Sequence, residues 1–292
     1  MIRKRITAVF QAEGIGGVMR AVLRRLRRPH ARSFPLWREV VRGRVGLEIG
    51  GPSPLFARGG MLPVYPLAER VDNVNFARQT IWEGTITAGD SFHYHPGKAP
   101  GRQYIAEGAE LAGVPAAAYD FVLSSHMLEH TANPLRALDS WSRLLKPGGA
   151  LLLVVPHRDG TFDHRRPVTS LAHLVQDLER NTGEDDLTHL DEILELHDLT
   201  RDPGARTADF AARARRNPEL RSMHHHVFDT SLIVAAATHA GFDVREAEPL
   251  EPYHVVVLAR KPLAAGTAAP FAPERLRTVL RASPFPTDRS AA

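Results

Sequence analysis

Short apolar runs alternate with longer amphipathic segments between residues 44 and 156, a pattern that predicts strands joined by helices. The segment YDFVLSS (119–125) is apolar up to its serines, as expected for a strand that is covered on both faces. Four other segments contain strand-like runs: RVGLEIGG (44–51), AERVDNVNF (68–76), RQYIAEGAEL (102–111) and ALLLVVP (150–156). The alternation predicts an α/β fold in which helices cover both faces of a sheet.

One helix is predicted between the last two of these strands. Asn133 and Pro134 suit the N-cap and the first helical position. Four apolar residues follow at the spacing of one helical face: Leu135, Leu138, Trp141 and Leu145. The run Lys-Pro-Gly-Gly at 146–149 ends the helix. Because a strand, a helix and a second strand in this order form a right-handed crossover, we expect a parallel, doubly wound sheet.

The chain is predicted to have three parts. Residues 44–262 form the main domain, which carries a helical lobe inserted at about 157–226, where the alternation of strands and helices is interrupted. Residues 1–43 form a basic, helical N-terminal extension. Residues 263–292 are rich in Pro and Ala, so they predict a mobile tail with one short helix near 273–281.

Composition narrows the classes of function. The 292 residues are 43% hydrophobic, which is enough for one large globular domain with a smaller lobe. No cysteine is present, so disulfides, thiolate nucleophiles and cysteine-bound zinc are excluded. No apolar run approaches the ~20 residues of a membrane span and no cleavable leader is recognisable, so we expect a cytoplasmic protein.

The positive net charge of +4 is concentrated at the N-terminus, since residues 1–45 hold 12 Lys and Arg against 2 Asp and Glu. The segment MRAVLRRLRRPHAR (19–32) interleaves apolar residues with arginines at roughly helical spacing. Such a helix either packs by one edge on the domain or makes weak contact with an anionic membrane surface or an acidic partner. Aromatic residues that stack on bases are absent from this segment, so no nucleic-acid partner is expected.

Polar residues cluster where the predicted strands end. Because the carboxyl ends of parallel strands meet at one edge of a sheet, we expect these residues to lie together. In chain order they are Glu48, Gly50 and Gly51, then Asp72, residues 107–110, Ser124, Ser125 and His126, and finally His157. Glycine allows close approach of the backbone to a ligand. A carboxylate after the second strand can bind the two hydroxyls of a ribose. Together these residues predict a cofactor site.

The order and spacing of these segments resemble the class I S-adenosylmethionine-dependent methyltransferases, in particular the methyltransferase type 11-like group. The resemblance is carried by YDFVLSSHMLEH (119–130) and LLKPGGALLLVVP (144–156), and it resumes at VFDTSLIVAAATHAGFDVREAEPLEPYHVVVLARK (227–261). It implies a Rossmann-like, mostly parallel seven-stranded sheet whose last strand is antiparallel. It also implies S-adenosylmethionine as cofactor and methyl transfer as the activity.

The same resemblance implies which residues hold the cofactor. Glu48, Gly50 and Gly51 would border its methionine end, Asp72 its ribose, Ala109 and Glu110 its adenine, and Ser125 and His126 its sulfonium. The chain departs from the family in one place, because Pro52 and Pro54 stand where further glycines are usual. We therefore expect a stiffer loop after the first strand.

The inserted lobe is the natural acceptor-binding segment, because the sheet is shared among such proteins and insertions vary. Its many histidines and arginines suit a small polar or glycan-like acceptor. We expect the methyl group to be transferred to a hydroxyl oxygen of this acceptor. Methylation of a hydroxyl requires removal of a proton, for which a histidine is well suited at neutral pH. The candidate bases are His157, His164 and His126. Arg165 and Arg166 either grip an anionic group of the substrate or pair with nearby aspartates.

The pentapeptide His126-Met127-Leu128-Glu129-His130 fits H-x-x-E-H, the zinc-peptidase pattern in which two histidines bind the metal and the glutamate acts as base. That pattern needs both histidines on one face of a continuous helix. Here a strand precedes His126 and the next helix begins at Pro134, which leaves little room. A zinc hydrolase is therefore only a weak alternative, and we expect His130 to be a hydrogen-bonding residue.

Metal binding within the lobe is a second alternative. His224 and His226 would point to one side of an extended segment. Other ligands are available nearby: Asp159, Asp163, His164, Glu184 and Asp185. No pair of these residues has a diagnostic ligand spacing, so no metal centre is predicted.

Two other classes of function use the same sheet. A non-catalytic binding protein would keep the residues at the strand ends and need no base. A serine hydrolase would need a nucleophile elbow, and the pattern G-x-S-x-G does not occur in the sequence. The sequence therefore favours a methyltransferase over both.

Overall fold

The computed structural model describes residues 30–202, 207–264 and 266–292. The segment 1–29, and with it most of the predicted basic extension, lies outside the described residues. The remainder of that extension contains one helix, α1 (Phe34–Val41), whose Trp37, Val40 and Val41 are buried.

An eight-stranded sheet forms the centre of the fold. The strands in chain order are β1 (Val45–Ile49), β2 (Arg70–Asn75), β3 (Gln79–Thr80), β4 (Gly84–Thr85), β5 (Gly89–Phe92), β6 (Gly101–Ile105), β7 (Tyr119–Ser125), β8 (Leu145–Pro156), β9 (Asp243–Leu250) and β10 (His254–Arg260). The spatial order is β5-β6-β2-β1-β7-β8-β10-β9, while β3 and β4 pair separately. Only β5 and β10 run against the other strands of this sheet.

This topology confirms the predicted doubly wound, mostly parallel Rossmann-like sheet. The strand count differs from the expected seven, because β5 adds an antiparallel edge strand beside β6. Residues of β5 alternate poorly between apolar and polar types, since an edge strand of four residues is only partly buried. The segment that contains β5 therefore has no clear strand pattern in the sequence.

Helices cover both faces of the sheet. Besides α1 they are α2 (Pro134–Leu144), α3 (Leu171–Glu179), α4 (Leu190–Leu196), α5 (Thr207–Arg215), α6 (Asn217–Leu220), α7 (Thr230–His239), α8 (Pro273–Arg281) and α9 (Pro286–Ser290). Short 3₁₀ turns occupy Leu128–His130 and Arg158–Gly160. Within the described ranges, no helix combines the length and the apolar character that crossing a membrane requires.

The two-sided core explains the apolar run of β7. Val122 packs into the cluster that contains α2 and α7, whereas Phe121 and Leu123 pack into the cluster that contains α1. Successive side chains of a strand point to opposite faces, so a strand buried on both faces needs apolar residues at every position. The helix α2 begins as predicted, with the Asn133 side chain accepting a hydrogen bond from the Arg136 backbone N–H.

The inserted lobe contains α3 to α6 and has a small core of its own, formed by Ile193, Phe210 and Met223. The helices α3 and α4 flank the turn at 181–186, as the sequence predicts. At its base the lobe is joined to the sheet, because the His225 backbone N–H donates to the Glu129 carbonyl at 2.8 Å.

Residues 266–292 pack against the domain, whereas the sequence predicts a mobile tail. The helix expected near 273–281 is present as α8, and Leu280 and Phe285 are buried. Asp288 is fully buried and accepts hydrogen bonds from the Thr230 hydroxyl and the Ser283 hydroxyl, both at 2.6 Å. The apolar residues of this segment are sparse and Thr230 is far away in sequence, so the local pattern does not reveal the docking.

The substitution Asp288→Ala should lower the free energy of unfolding by roughly 3 kcal/mol, because it leaves buried hydroxyl donors without their acceptor. Urea denaturation measures the change. Glu274→Ala is the matched control, since the Glu274 side chain is 89% exposed on the neighbouring α8. Equal stability of the two variants would show that the segment is not docked through Asp288.

Candidate active site

A cavity of about 710 Å³ lies at the carboxyl ends of the parallel strands. This volume falls in the range of small-molecule sites, roughly 300–1,000 Å³. One wall comes from the strand ends and includes Gly50, Asn75, Ala106, Gly108, Ser125 and His126. The opposite wall comes from the lobe and includes Phe162, His197, Phe210, Arg213, Met223 and His224. The cavity therefore joins the predicted cofactor site to the predicted acceptor lobe.

The loop after β1 passes close to the sheet because two glycines permit it. Gly50 has a φ of +80° and donates its N–H to the Val74 carbonyl at 2.8 Å. A Cβ on Gly51 would lie 2.2 Å from the carboxyl carbon of Glu48, so no side chain fits there. Gly50 lines the cavity, and Gly51 supports the loop from behind.

Glu48 lies beneath this loop and does not line the cavity, in contrast to the sequence prediction. Its carboxyl group is 1% exposed and accepts hydrogen bonds from the Ser53 backbone N–H at 2.9 Å and the Tyr65 hydroxyl at 2.6 Å. Burial raises the pKa of Glu48 to about 8, although both hydrogen bonds oppose the shift. At neutral pH this residue is mainly protonated and holds the loop in place.

Asp72 is also not brought to the cavity, which corrects the prediction that it binds the ribose. Its carboxylate accepts a hydrogen bond from the Arg102 backbone N–H at 2.9 Å and from the Tyr119 hydroxyl at 3.0 Å. The strand β2 continues for three residues beyond Asp72 and ends at Asn75, which does line the cavity. The sequence indicated the strand but not the residue at which it ends.

The two residues predicted to contact the adenine, in the turn after β6, also lie outside the cavity lining. Ala109 is buried in the core and its carbonyl accepts a hydrogen bond from the Ser140 hydroxyl at 2.7 Å. Glu110 is exposed and pairs with Arg136 at 3.0 Å. The cavity is lined instead by the preceding residues Ala106, Glu107 and Gly108.

Ser125 and His126 lie in the cavity wall at the end of β7, where the sequence places them. His126 has a φ of +52°, a left-handed conformation that is uncommon for residues other than glycine. Its backbone N–H donates to the Val154 carbonyl, and a hydrogen bond of 2.8 Å joins its Nε2 to Nδ1 of His254. Residues held in such conformations cluster at functional sites, where neighbouring structure enforces them.

The H-x-x-E-H segment is not a continuous helix, since His126 is left-handed and only residues 128–130 form a 3₁₀ turn. The expected structural context of a zinc peptidase is therefore missing, as the sequence indicated. Glu129 nevertheless lies among three histidines. Its Oε1 is 3.6 Å from His126 Nδ1, 3.9 Å from His130 Nε2 and 4.0 Å from His224 Nε2.

Burial and charge set the protonation of this group. Burial by itself would raise the pKa of Glu129, but the surrounding histidines hold it below its usual value. Burial, together with the nearby His224, lowers the pKa of His130 to about 4. Burial by itself would lower the pKa of His224, but Asp163 raises it. At neutral pH the cavity therefore holds an ionised carboxylate beside a neutral imidazole.

Of the three candidate bases, His126 alone lies in the cavity wall. His157 is fully buried: its Nδ1 accepts a hydrogen bond from the Asp159 backbone N–H, its Nε2 is 3.1 Å from Asp288, and its ring stacks on Phe285. It joins the C-terminal segment to the sheet and cannot reach a substrate. The sequence could not show this, because Asp288 and Phe285 are more than a hundred residues away.

His164 and the two arginines beside it also have structural partners. His164 Nε2 is 2.9 Å from Asp198, and Arg165 is 3.4 Å from the same carboxylate. Arg166 is buried and pairs with Asp163 at 3.0 Å and with Glu192 at 2.7 Å. None of the three lines the described cavity, so pairing with acids explains Arg165 and Arg166 better than substrate binding.

Sequence reasoning missed Tyr253 and His254, which line the cavity at the start of β10. Because β10 is antiparallel to β8, its amino end lies at the edge where the parallel strands have their carboxyl ends. The available signal was that these two polar residues stand directly before the apolar run of β10. The prediction considered only residues at the carboxyl ends of strands and therefore did not include them.

A family model described as a methyltransferase domain matches residues 69–247, which is more than half of the chain. A search of curated proteins found no significant match. Similar solved structures include S-adenosylmethionine-dependent methyltransferases from Mesorhizobium loti and Methanosarcina mazei. The first is 16% identical over 78% of this chain and 97% of that chain, with a TM-score of 0.44. The second is 18% identical over 79% and 99%, with a TM-score of 0.43.

A third similar structure is 1,6-didemethyltoxoflavin-N1-methyltransferase from Burkholderia thailandensis, solved with bound 1,6-didemethyltoxoflavin and S-adenosylhomocysteine. It is 14% identical over 80% of this chain and 79% of that chain, with a TM-score of 0.41. These distant structural similarities say nothing about the acceptor of this protein.

The substitution Glu48→Gln should remove a pH-dependent loss of stability. Because the pKa of Glu48 is about 8 in the folded protein, the folded state keeps a proton that the unfolded chain releases above 4.5. The proton on Glu48 therefore stabilises the folded state. This stabilisation is fully present below pH 4.5 and is lost as the pH rises through about 8. Urea denaturation at about pH 5 and about pH 8 should therefore show the wild type losing several kcal/mol relative to the variant.

The glutamine can accept the hydrogen bond from the Ser53 N–H through its carbonyl oxygen and donate its amide N–H to the Tyr65 hydroxyl oxygen, and it does not titrate. Glu110→Gln, which changes an exposed carboxylate, controls for the loss of one acidic group. A difference between wild type and Glu48→Gln that stays constant with pH would contradict the protonated state of Glu48.

Proposed function

The chain belongs to the methyltransferase domain family, and we propose that it transfers a methyl group to a hydroxyl oxygen of a small polar or glycan-like acceptor. S-adenosylmethionine is the methyl donor of this enzyme, so the proposal concerns the acceptor and the residues that act on it. The observation that carries it is that one cavity contains the strand-end residues, His126 and the lobe.

The residues of the strand-end wall fit the methyl donor. Gly50 presents backbone with no side chain between the sheet and the cavity, which allows close approach of a ligand. Asn75 supplies an amide at the end of β2, and Glu107 supplies a carboxylate after β6 that is held by Arg221 at 2.9 Å. When bound, S-adenosylmethionine supplies an electrophilic methyl group.

The lobe wall supports a polar acceptor with apolar ring faces. Phe162 and Phe210 offer aromatic surface from the lobe, and Tyr253 adds to it from the start of β10. Arg213 and Asp202, which pair at 3.4 Å, bring an ion pair into the lobe wall. Small-molecule sites combine such apolar surface with a few polar groups that fix orientation. A sugar or a similar polyhydroxylated molecule has both characters, with C–H faces and hydroxyl edges.

His126 is the residue that we propose as proton acceptor for the hydroxyl. It lies where the strand-end wall meets the lobe wall, and the hydrogen bond between its Nε2 and Nδ1 of His254 fixes the ring. Methyl transfer from a sulfonium is an in-line displacement, so correct placement of the oxygen contributes most of the catalysis. The base then contributes by removing the proton as the new bond forms.

The substitution Asn75→Ala should weaken binding of S-adenosylhomocysteine about tenfold, equivalent to the loss of one hydrogen bond of about 1.4 kcal/mol. Isothermal titration calorimetry measures this. Asp72→Asn, on the same strand but outside the cavity, should lower the stability and leave the affinity within about twofold. If Asp72→Asn weakened the binding of S-adenosylhomocysteine more than Asn75→Ala did, Asp72 would be the ribose ligand after all.

The substitution His126→Asn should lower the rate of methyl transfer by about 10²-fold or more while the affinity for S-adenosylhomocysteine stays within about twofold. Transfer of labelled methyl to a panel of sugars, polyols and amines identifies the acceptor and provides the assay. His164→Asn is the control, because that histidine lies outside the cavity wall. Methylation of amines alone, or a His126→Asn variant as active as wild type, would refute the proposal.

A further inference from the structure

We propose that the cavity binds a divalent transition-metal ion through Glu129, His130 and His224. The binding itself stands on the geometry of these side chains. The role assigned to the ion, which is to hold the acceptor oxygen, rests on the proposed function.

The three residues place their ligand atoms around a common point. The atoms all lie within 4.8 Å of one another, and Glu129 Oε1 is 3.9 Å from His130 Nε2 and 4.0 Å from His224 Nε2. Two atoms that each lie about 2.1 Å from one ion are at most roughly 4.2 Å apart. Both distances from Glu129 satisfy this limit, and since the remaining separation is no more than 4.8 Å, small side-chain rotations bring all three atoms within reach of one ion.

Both imidazoles are oriented by hydrogen bonds on the nitrogen that faces away from this point. His130 Nδ1 is 3.0 Å from the Met223 carbonyl, and His224 Nδ1 is 2.6 Å from the Asp163 carboxylate. Asp163 is itself held by the buried Arg166. Histidines that bind metals are typically fixed in this way by a carbonyl or a carboxylate, which leaves Nε2 directed at the ion.

The carboxylate of Glu129 provides an independent reason for a cation. It is 1% exposed, and neither oxygen accepts a hydrogen bond from any residue that the structure describes. A buried carboxylate that accepts no hydrogen bond is costly, so such groups are normally paired with a cation or bind a metal. A divalent ion between Glu129 and the two imidazoles would satisfy this charge.

The donor set indicates the kind of metal. Two imidazole nitrogens and one carboxylate oxygen suit Zn²⁺, Co²⁺, Mn²⁺ or Fe²⁺, whereas Mg²⁺ and Ca²⁺ prefer oxygen ligands throughout. Three protein ligands leave further coordination positions open, as in catalytic metal sites. Since all three residues line the cavity, the open positions face the space between the cofactor wall and the lobe.

An ion at this point would bind the acceptor hydroxyl and make it more acidic. The proton of the hydroxyl passes to the base, which is His126 in the proposed function. The electron pair of the oxygen forms the new bond to the methyl carbon as the carbon–sulfur bond of the donor breaks. The products are a methyl ether and S-adenosylhomocysteine, and the ion keeps its oxidation state.

A second group of histidines supplies the competing site and the control. His173, His189 and His226 also place ligand atoms within 4.8 Å of one another. Their nitrogens have partners in the protein, because a hydrogen bond of 3.1 Å joins His173 to His189 and His226 Nε2 is 3.2 Å from the Ala132 carbonyl. The Nε2 atoms of this group therefore have partners without an ion.

The test is metal content after loading with Zn²⁺ and gel filtration, measured by elemental analysis on the full chain. Wild type and His189→Asn should retain the same stoichiometry, while Glu129→Gln and His224→Ala should each lose about one equivalent. Loading with Co²⁺ should give a visible absorption band that the same two variants lack. Unfolding transitions of all variants show whether each one is folded.

Glu129→Gln is nearly isosteric, which keeps the experiment decisive if His224→Ala fails to fold. Retention of the wild-type stoichiometry by Glu129→Gln, or loss of the ion from His189→Asn alone, would overturn the proposed site. Neither measurement uses the methyl donor or an acceptor. A failure of the metal site is therefore distinguishable from a failure of the proposed methyl transfer.

Discussion

The active-site edge depends on the register in which five parallel strands pair. Residues Tyr104, Val74, Ile49, Ser124 and Leu153 are aligned across the sheet, each one paired with the next. The residues that follow this row emerge at one edge and include Asn75, Gly50 and Ser125. Because side chains alternate along a strand, a slip of one residue in any strand would turn its contribution away from the cavity. The site therefore requires the buried core on both faces of the sheet, since that core determines the register.

Sequence patterns predicted this edge well because the features that create it are local. An apolar run followed by glycine or serine marks a strand and its end, and Gly50, Ser125 and His126 lie in the cavity wall as expected. The errors arose where the strand end itself was misplaced. The pattern around Asp72 does not show that β2 continues to Asn75, because Asn73 and Asn75 look like loop residues. Their amides are buried in a hydrogen-bond network that only the folded sheet supplies.

Residues of the acceptor side could not be predicted in the same way, since their partners are distant in the chain. His157 appeared suited to catalysis because it follows β8, but the C-terminal segment covers it with Phe285 and Asp288. In the sequence analysis the possible ligand partners of His224 all lie within the inserted lobe, yet the fold brings it to Glu129, which precedes the insertion. The H-x-x-E-H pattern thus contains Glu129 and His130 of the proposed metal site, in a backbone geometry different from that of a zinc peptidase.

The two walls of the cavity meet where the lobe docks on the sheet. The cofactor wall is part of a hydrogen-bonded sheet with an apolar core, so most of its residues act through backbone position. The lobe is attached by apolar and polar contacts, because Leu174 of α3 is buried in the main apolar cluster and the His225 N–H donates to the Glu129 backbone carbonyl. Within the lobe, Arg166 donates to the carbonyls of His224 and His225. The docked lobe places His224 beside the buried carboxylate of Glu129, so attachment of the lobe and assembly of this polar cluster are linked physically.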